Sequence, residues 1–384
     1  MQQGQQQKTS LARHSKRGNI PHLLRIIVFV GFFLAIVVTG MLVIITGATS
    51  TSTVMTGVLA ILLGIASAIQ IYPILVPPRS TATENAPDID VLHGSSRQSG
   101  KPIFLFNLPL RDANEYYGRA GVRGTLIART ANGGSSAIVG ERRSGKTWLL
   151  TYLQLVAPTH AKLGPACRVV YLSANHPQCK SVEGFVLRVL EELRMPVHAA
   201  DADQPPLSML SQGVRDLKKL GIVPVLCIDE FEGFDNRQEF QHDFVEGLRA
   251  LTQDDGLVLI TASKRPLREV IEDLTGQTSP LFNIVQQITL RPFTEQEASE
   301  FVRDKSDQAG FDEKARDHFL RWARFYTTQG EPYWPPLRLQ LVGQMLLDNM
   351  QEAGDDQLGA RLADSRHQSE FERRLNETYQ AVVR

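Results

Sequence analysis

The sequence predicts an α/β domain on a mostly parallel sheet, followed by a helical domain and preceded by two apolar runs long enough to cross a membrane. Three observations carry that expectation. Short runs that are apolar on both faces alternate with helical patterns from Ala137 to Leu290, as in parallel sheets covered on both sides. A loop of the form G-x-x-x-x-G-K-T, Gly140-Glu141-Arg142-Arg143-Ser144-Gly145-Lys146-Thr147, joins the first such run to the first helical pattern. From Thr294 onward the apolar period is helical.

A chain of 384 residues that is 42% hydrophobic has material for about two domains with a sizeable core. Its formal net charge of zero hides an asymmetry. Residues 1–83 hold six basic residues (Lys8, Arg13, Lys16, Arg17, Arg25, Arg79) and no acid, leaving 35 basic against 41 acidic residues in the remainder. Cys167, Cys179 and Cys227 are too few and too scattered for a disulfide framework, which suits a reducing compartment. The sequence contains no G-x-S-x-G elbow, no H-E-x-x-H helix and no Cys/His cluster at zinc spacing, so serine-hydrolase and zinc chemistry are excluded. The Leu207–Leu220 helix carries no Leu-Ser-Gly-Gly-type signature, which excludes an ABC transporter ATPase.

Taken in order, residues 1–22 form a Gln-rich basic tail and residues 23–76 a transmembrane hairpin. Its spans are Ile26–Ile45 and Val54–Val76, joined by Thr46–Thr53, and each can cross a core of about 30 Å as a helix. The first run exceeds the apolar region of about 7–15 residues of a cleaved signal peptide. Arg25 and the basic residues before it put the N-terminus in the cytoplasm, and two crossings return the chain there. Small residues at Gly31, Ala35 and Thr39, and at Ala60, Gly64 and Ala68, have the spacing that lets two membrane helices approach. The expected setting is the cytoplasmic membrane, with the bilayer as partner through residues 26–76. Residues 77–102, rich in Pro, Ser, Gly and Thr, read as a linker.

Residues 103–292 carry the α/β core. The loop after Ala137–Val139 is explained position by position. Gly140 and Gly145 permit dihedrals and approaches that a Cβ forbids, so successive amides can turn around an anion. A helix opening at Gly145 adds its free amides and positive dipole end. Lys146 is expected to reach terminal phosphates, and the Thr147 hydroxyl to ligate Mg²⁺. Further strands are expected at Arg168–Leu172, Val223–Ile228, Leu257–Ala262 and Ile284–Leu290, and helices at Val182–Leu193, Leu207–Leu220 and about Gln238–Leu251, with 195–206 a loop.

Function collects at the carboxyl ends of parallel strands. There Asp229 is expected to hold the Mg²⁺ water shell and Glu230 to orient the attacking water, with Glu232 a competitor for that role. The strand Leu257–Ala262 runs into Ser263-Lys264-Arg265-Pro266, where Thr261, Ser263 and Arg265 are candidates to sense a terminal phosphate. In residues 293–384, Thr294 and Glu297 form a capping box on a helix running to about Ala309. Helices follow at Asp312–Tyr326, Leu337–Asn349 and Ser365–Val383. In the last, Glu370, Glu372 and Glu377 interleave with Arg373 and Arg374, so nucleic acid is not an expected partner.

The order Tyr117-Gly118-Arg119, GERRSGKT, LCIDEFE, LITASKRPL, ITLRPFTEQEASEFV and Gly330-Glu331-Pro332 resembles the signal-transduction ATPases with numerous domains (STAND). These are a branch of the AAA+ ATPases similar also to archaeal-type ATPases. The resemblance spans residues 103–384. It implies a five-stranded sheet with the sensor strand between the phosphate-loop and Asp-Glu strands, and a helical lid. It also implies that Gly330 and Pro332 approach the nucleotide, with Tyr117, Gly118 and Arg119 near the adenine. Such proteins use nucleotide exchange and slow hydrolysis as a switch, often coupled to oligomerisation. Relatives usually continue into long sensor or effector domains and this sequence stops at Arg384, so the membrane hairpin is the expected input or output module.

The expectation is a membrane-anchored regulatory ATPase. It binds ATP·Mg²⁺ through the loop with Lys146, Thr147 and Asp229, hydrolyses it slowly with Glu230 and Lys146 as catalytic residues, and works as a homo-oligomer on an unidentified protein partner. The alternatives are a non-hydrolysing ATP-dependent membrane scaffold, and an AAA+ ATPase serving DNA or a secretion assembly.

Overall fold

The computed structural model describes residues 101–195, 204–353 and 362–383. The expected tail, transmembrane hairpin and nearly all of the 77–102 linker lie outside the described residues, as does most of the 195–206 loop. Among the described residues no helix is long and apolar enough to cross a membrane.

A five-stranded sheet organises the core: β1 (Ser136–Val139), β2 (Cys167–Ser173), β3 (Val223–Asp229), β4 (Val258–Ser263) and β5 (Gln286–Thr289). The strands are all parallel in the order β2-β3-β4-β1-β5. The strand that leads into Ser263-Lys264-Arg265 therefore lies between the phosphate-loop strand and the Asp-Glu strand, as the resemblance implied. Successive side chains feed two different cores, as the twofold strand period requires. Leu226 and Ile228 of β3 and Leu259 of β4 pack on one face, against Phe185, Val214 and Leu248. Val225 and Cys227 of β3 with Val258 and Ile260 of β4 pack on the other, against Leu126, Leu149 and Leu153. Burying a side chain of this size stabilises by about 1.5–3 kcal/mol, which explains strands with no polar face.

The covering helices are α1 (Ala120–Ala131), α2 (Lys146–Val156), α3 (Val182–Glu192), α4 (Pro206–Lys219), α5 (His242–Ala250), α6 (Leu267–Thr275) and the single turn α7 (Leu281–Ile284). Two expected boundaries move. The helix expected from Gln238 begins at His242, and the strand expected from Ile284 begins at Gln286 because Leu281–Ile284 closes a helical turn around buried Leu281.

The helical lid comprises α8 (Glu295–Ala309), α9 (Glu313–Ala323), α10 (Pro336–Ala353) and α11 (Ser365–Val383). The Thr294–Glu297 capping box at the start of α8 is present in both directions. The helix expected to run to Tyr326 stops at Ala323, because Phe325–Tyr326 (β6) pairs antiparallel with Pro332–Tyr333 (β7) in a small hairpin. Pro332 has no N–H to donate, which keeps this ladder short. The lid core also takes in a stretch that precedes α1. Phe104 is buried against Phe311 and Phe319, with ring centroids 6.2 and 5.8 Å away, and Ile103, Phe106 and Tyr117 pack on the same cluster.

Candidate functional site

A cleft of about 590 Å³ opens where the loops after β1, β3 and β4 meet the lid. Its polar end is lined by Arg142, Arg143, Gly145, Lys146, Thr147, Asp229, Glu230, Glu232 and Lys264. Its apolar end is closed by Leu105, Leu108, Tyr117, Phe293, Phe301 and Leu337, with Pro336 and Gln340 beside them.

The loop is built as its glycines predict. Gly145 has φ 94°, in the left-handed region, where it caps α2. A Cβ on Gly140 would lie 2.7 Å from Ser144 Oγ and 3.2 Å from Leu290 Cβ. Arg143 takes φ 65° without being glycine, a conformation that costs a non-glycine residue about 1–2 kcal/mol. Lys146 is buried, and its Nζ donates to the carbonyl oxygens of Gly140 (2.7 Å) and Glu141 (2.9 Å). Burial pulls its pKa below that of an ordinary lysine, opposed by the charge of Asp229.

Asp229 joins the two motifs. Thr147 Oγ1 donates to its Oδ2 at 2.6 Å, Tyr171 OH donates to the same oxygen at 3.1 Å, and the Glu230 amide donates to Oδ1 at 2.9 Å. Only 3% of Asp229 is exposed, and burial raises its pKa despite those three donors. Glu230 sits at φ 50°, and its carboxylate accepts from Asn175 Nδ2 at 2.5 Å and Ser173 Oγ at 3.5 Å. A Cβ on Gly233 would stand 2.4 Å from Asn175 Oδ1, so the glycine of Phe231-Glu232-Gly233 makes room for that amide. Glu232 Oε1 accepts from the Lys264 amide at 3.1 Å, while its Oε2 is buried with no protein partner.

The expected site residues divide into two groups. Arg142, Arg143, Gly145, Lys146, Thr147, Asp229, Glu230, Tyr117 and Arg119 line the cleft, and Gly140, Glu141 and Ser144 supply backbone of the same loop. The others lie elsewhere. Ser263 is fully buried and donates to the Arg265 carbonyl at 2.6 Å, and Arg265 pairs with Asp273 at 2.6 Å on the surface; neither lines the cleft, whereas Lys264 between them does. Thr261 is buried within β4, with no partner for its hydroxyl. Gly330 (φ 84°) closes the β6–β7 turn and Pro332 is exposed on β7; the lid proline lining the cleft is Pro336, in the first turn of α10. Gly118 packs under α8, where a Cβ would lie 3.1 Å from Phe293 Cε1 and 3.2 Å from Glu297 Oε1.

The donor set fits a nucleotide triphosphate with a hard divalent ion. The first-turn amides of α2 have no intrahelical acceptors, Gly140 and Gly145 keep the cradle free of side chains, and Ser144 Oγ is buried without a partner. Among the described residues no three His, Cys, Asp or Glu gather as a metal cage. A Mg²⁺ ion here would therefore be held by Thr147 and Asp229, with phosphate oxygens and water completing its shell.

A parallel sheet of this order, with a phosphate loop after β1 and an Asp-Glu pair ending β3 two places away, has the architecture of a P-loop NTPase. The family described as "AAA domain" matches residues 129–271, and the family described as "Novel STAND NTPase 2" matches residues 214–381. The two matches support a P-loop NTPase of AAA+/STAND type, and nucleotide binding is the property they imply. A search of curated proteins finds no match. Among solved structures, the chain is similar to the Aeropyrum pernix ORC2 protein (16% identity, 66% of this chain and 67% of that one, TM-score 0.49). It is also similar to a Walker-type ATPase of Pyrococcus abyssi (14%, 67% and 75%, 0.47). Domain III of the Thermotoga maritima replication initiation protein DnaA is a third (15%, 63% and 89%, 0.41).

Sequence reasoning missed Gln340 in the cleft and Asn175 behind Glu230. Asn175 follows β2 and touches Glu230 only once the β2–β3 register sets Ser173 beside Asp229. Gln340 is buried, and its Oε1 accepts from the Leu105 amide at 2.8 Å across 235 positions of sequence. A buried polar position on an apolar helix was the available signal for Gln340; for Asn175 there was none.

Proposed function

We propose that this chain is a membrane-anchored regulatory ATPase that binds ATP·Mg²⁺ and hydrolyses it slowly, using nucleotide state as a switch. The observation that carries the reading is the 2.6 Å bond from Thr147 to Asp229, which sets the phosphate-loop hydroxyl and the buried carboxylate at one point beside Lys146. Mg²⁺ bound there would screen the phosphate charge. Lys146 exchanges its two carbonyl acceptors for phosphate oxygens, and the loop amides orient the polyphosphate. Glu230 positions and accepts a proton from the attacking water. The apolar end of the cleft takes the base.

Membrane attachment is supported by the two uncharged runs Ile26–Ile45 and Val54–Val76, and the cytoplasmic side by the basic residues before them. Output runs through association of subunits and a protein partner. Lys146→Ala abolishes binding of a fluorescent ATP analogue, and Glu230→Gln retains binding while stopping phosphate release; unchanged binding and turnover in both variants would sink the proposal.

A second reading, ATP binding without turnover in a membrane scaffold, is favoured by one observation. Asn175 holds the Glu230 carboxylate at 2.5 Å, occupying an oxygen that a general base needs. Phosphate release over hours from the wild-type protein, absent in Glu230→Gln, decides between the two.

A further inference from the structure

The Tyr117-Gly118-Arg119 box is placed so that its chemistry is spent on the protein itself. Arg119 is only 7% exposed, and each of its three guanidinium nitrogens donates to a backbone carbonyl. Nη1 reaches Ser144 O at 2.7 Å, while Nε and Nη2 reach Arg291 O at 3.2 and 2.7 Å. Its own amide donates to Glu297 Oε1, and its guanidinium lies 5.2 Å from the centroid of the Phe293 ring. One residue thus joins the last turn of the phosphate loop, the exit from β5 and the first turn of α8.

The two residues at alternate positions before it make the same connection. Tyr117 meets Phe301 edge-on at 5.0 Å between centroids, and Glu115 Oε2 lies 2.5 Å from Lys305 Nζ. Residues 115, 117 and 119 therefore meet residues 305, 301 and 297, one stripe of α8 read backwards. Glu115 closes a short 3-10 turn and Gly118 and Arg119 are both left-handed, so the segment follows α8 through these contacts rather than through a regular strand period.

We propose that Glu115–Arg119 is a strap coupling the phosphate loop to the lid helix α8, with Arg119 a positioning residue that transmits nucleotide occupancy. The proposal rests on the nucleotide reading above. Ligand-driven adjustment of Ser144 and Gly145 moves the Arg119 guanidinium, and the same residue's amide carries the change to Glu297.

The test is hydrogen exchange on the full-length chain with and without saturating ATP·Mg²⁺, following α2 as the report of binding and residues 295–301 as the report of coupling. In the wild type, nucleotide slows exchange in both. In Glu297→Ala the response of α2 persists, while that of 295–301 falls below about a third of the wild-type change. Arg119→Ala, compared at nucleotide concentrations that give the same α2 response, loses the response of 295–301 likewise. Thr294→Ala, which removes the cap of α8 without touching Arg119, keeps both responses. A wild-type-sized response of 295–301 in Glu297→Ala overturns the coupling, as does its loss in Thr294→Ala. A wild-type-sized response of 295–301 in Arg119→Ala, at a matched α2 response, overturns the positioning role. No α2 response in the wild type refutes the nucleotide reading, and the coupling with it.

Discussion

Lys305→Met isolates one contact of the strap. The Lys305 side chain is fully buried and its Nζ lies 2.5 Å from Glu115 Oε2, itself 13% exposed, and 5.4 Å from the centroid of the Tyr117 ring. Methionine keeps the length of the stem and removes the charge. Leaving one partner of a fully buried ion pair alone costs about 3–5 kcal/mol. Glu115 retains some water and a second cation, Lys101 at 3.4 Å, but Lys101 is 62% exposed and a pair of that kind contributes about 0–1 kcal/mol. The expected loss is about 2–3 kcal/mol, or about 4–12 °C in melting temperature for a domain of this size. Replacing Glu115 by Gln in the same chain removes the stranded charge, so the double variant regains at least about 1 kcal/mol over Lys305→Met. Urea and thermal unfolding followed by circular dichroism measure both quantities. A loss under 1 kcal/mol, or a double variant no more stable than the single one, refutes the claim that Glu115 and Lys305 are coupled across strap and lid.

Two further expectations follow from the cleft and the lid. Burial raises the pKa of Asp229 and lowers that of Lys146, while metal binding needs the carboxylate and phosphate binding the ammonium. Affinity for ATP·Mg²⁺ therefore starts to fall at a higher pH on the acid side than an ordinary carboxylate gives, and at a lower pH on the alkaline side than an ordinary lysine gives. The sign for folding alone is opposite at Asp229: its contribution is largest below the ordinary carboxylate range and is lost as pH rises through its raised pKa. Titrating affinity against pH checks the first, and a broad plateau bounded by ordinary values contradicts it. Gly343→Ala would put a Cβ 2.0 Å from Phe104 Cε1 inside the lid core. Overpacking of about 1–3 kcal/mol exceeds the helix-propensity gain of about 1 kcal/mol, so the variant is less stable and Phe104→Leu restores it; an unfolding midpoint at or above wild type contradicts this.

The parts of the site that were legible in sequence are those whose chemistry is local. Gly140 to Thr147 is a complete device within one turn, and the apolar run Val223–Ile228 ending in Asp229-Glu230 announces both a buried strand and what stands at its end. The β4 position between β1 and β3 came from resemblance, since periodicity alone cannot order parallel strands. What was not legible depends on register. Asn175 becomes relevant only because β2 and β3 pair Ser173 with Asp229. The hairpin Phe325–Tyr333 overrides a helical apolar pattern because two aromatic residues pair across a Gly330 turn. That hairpin also displaces the role expected of Pro332: a proline opening a helix at the cleft is needed, and the one at the start of α10 is Pro336.

The same reasoning changes what the Tyr-Gly-Arg box encodes. Read locally, an arginine after a left-handed glycine beside a nucleotide cleft is a ligand. Set beside α8, the segment is a strap: residues 115, 117 and 119 meet residues 305, 301 and 297, and Gly118 must lack a Cβ because Phe293 and Glu297 stand 3.1 and 3.2 Å from where it would be. Adding or removing one residue between Glu115 and Arg119 would leave all the side-chain types in place. It would still separate Glu115 from Lys305 or Tyr117 from Phe301, because the left-handed pair Gly118-Arg119 fixes where the segment meets α8. The spacing inside the box is thus fixed by contacts to a helix some 180 positions away, and its tolerance to insertion, rather than to conservative substitution, is what separates a strap from a set of ligands.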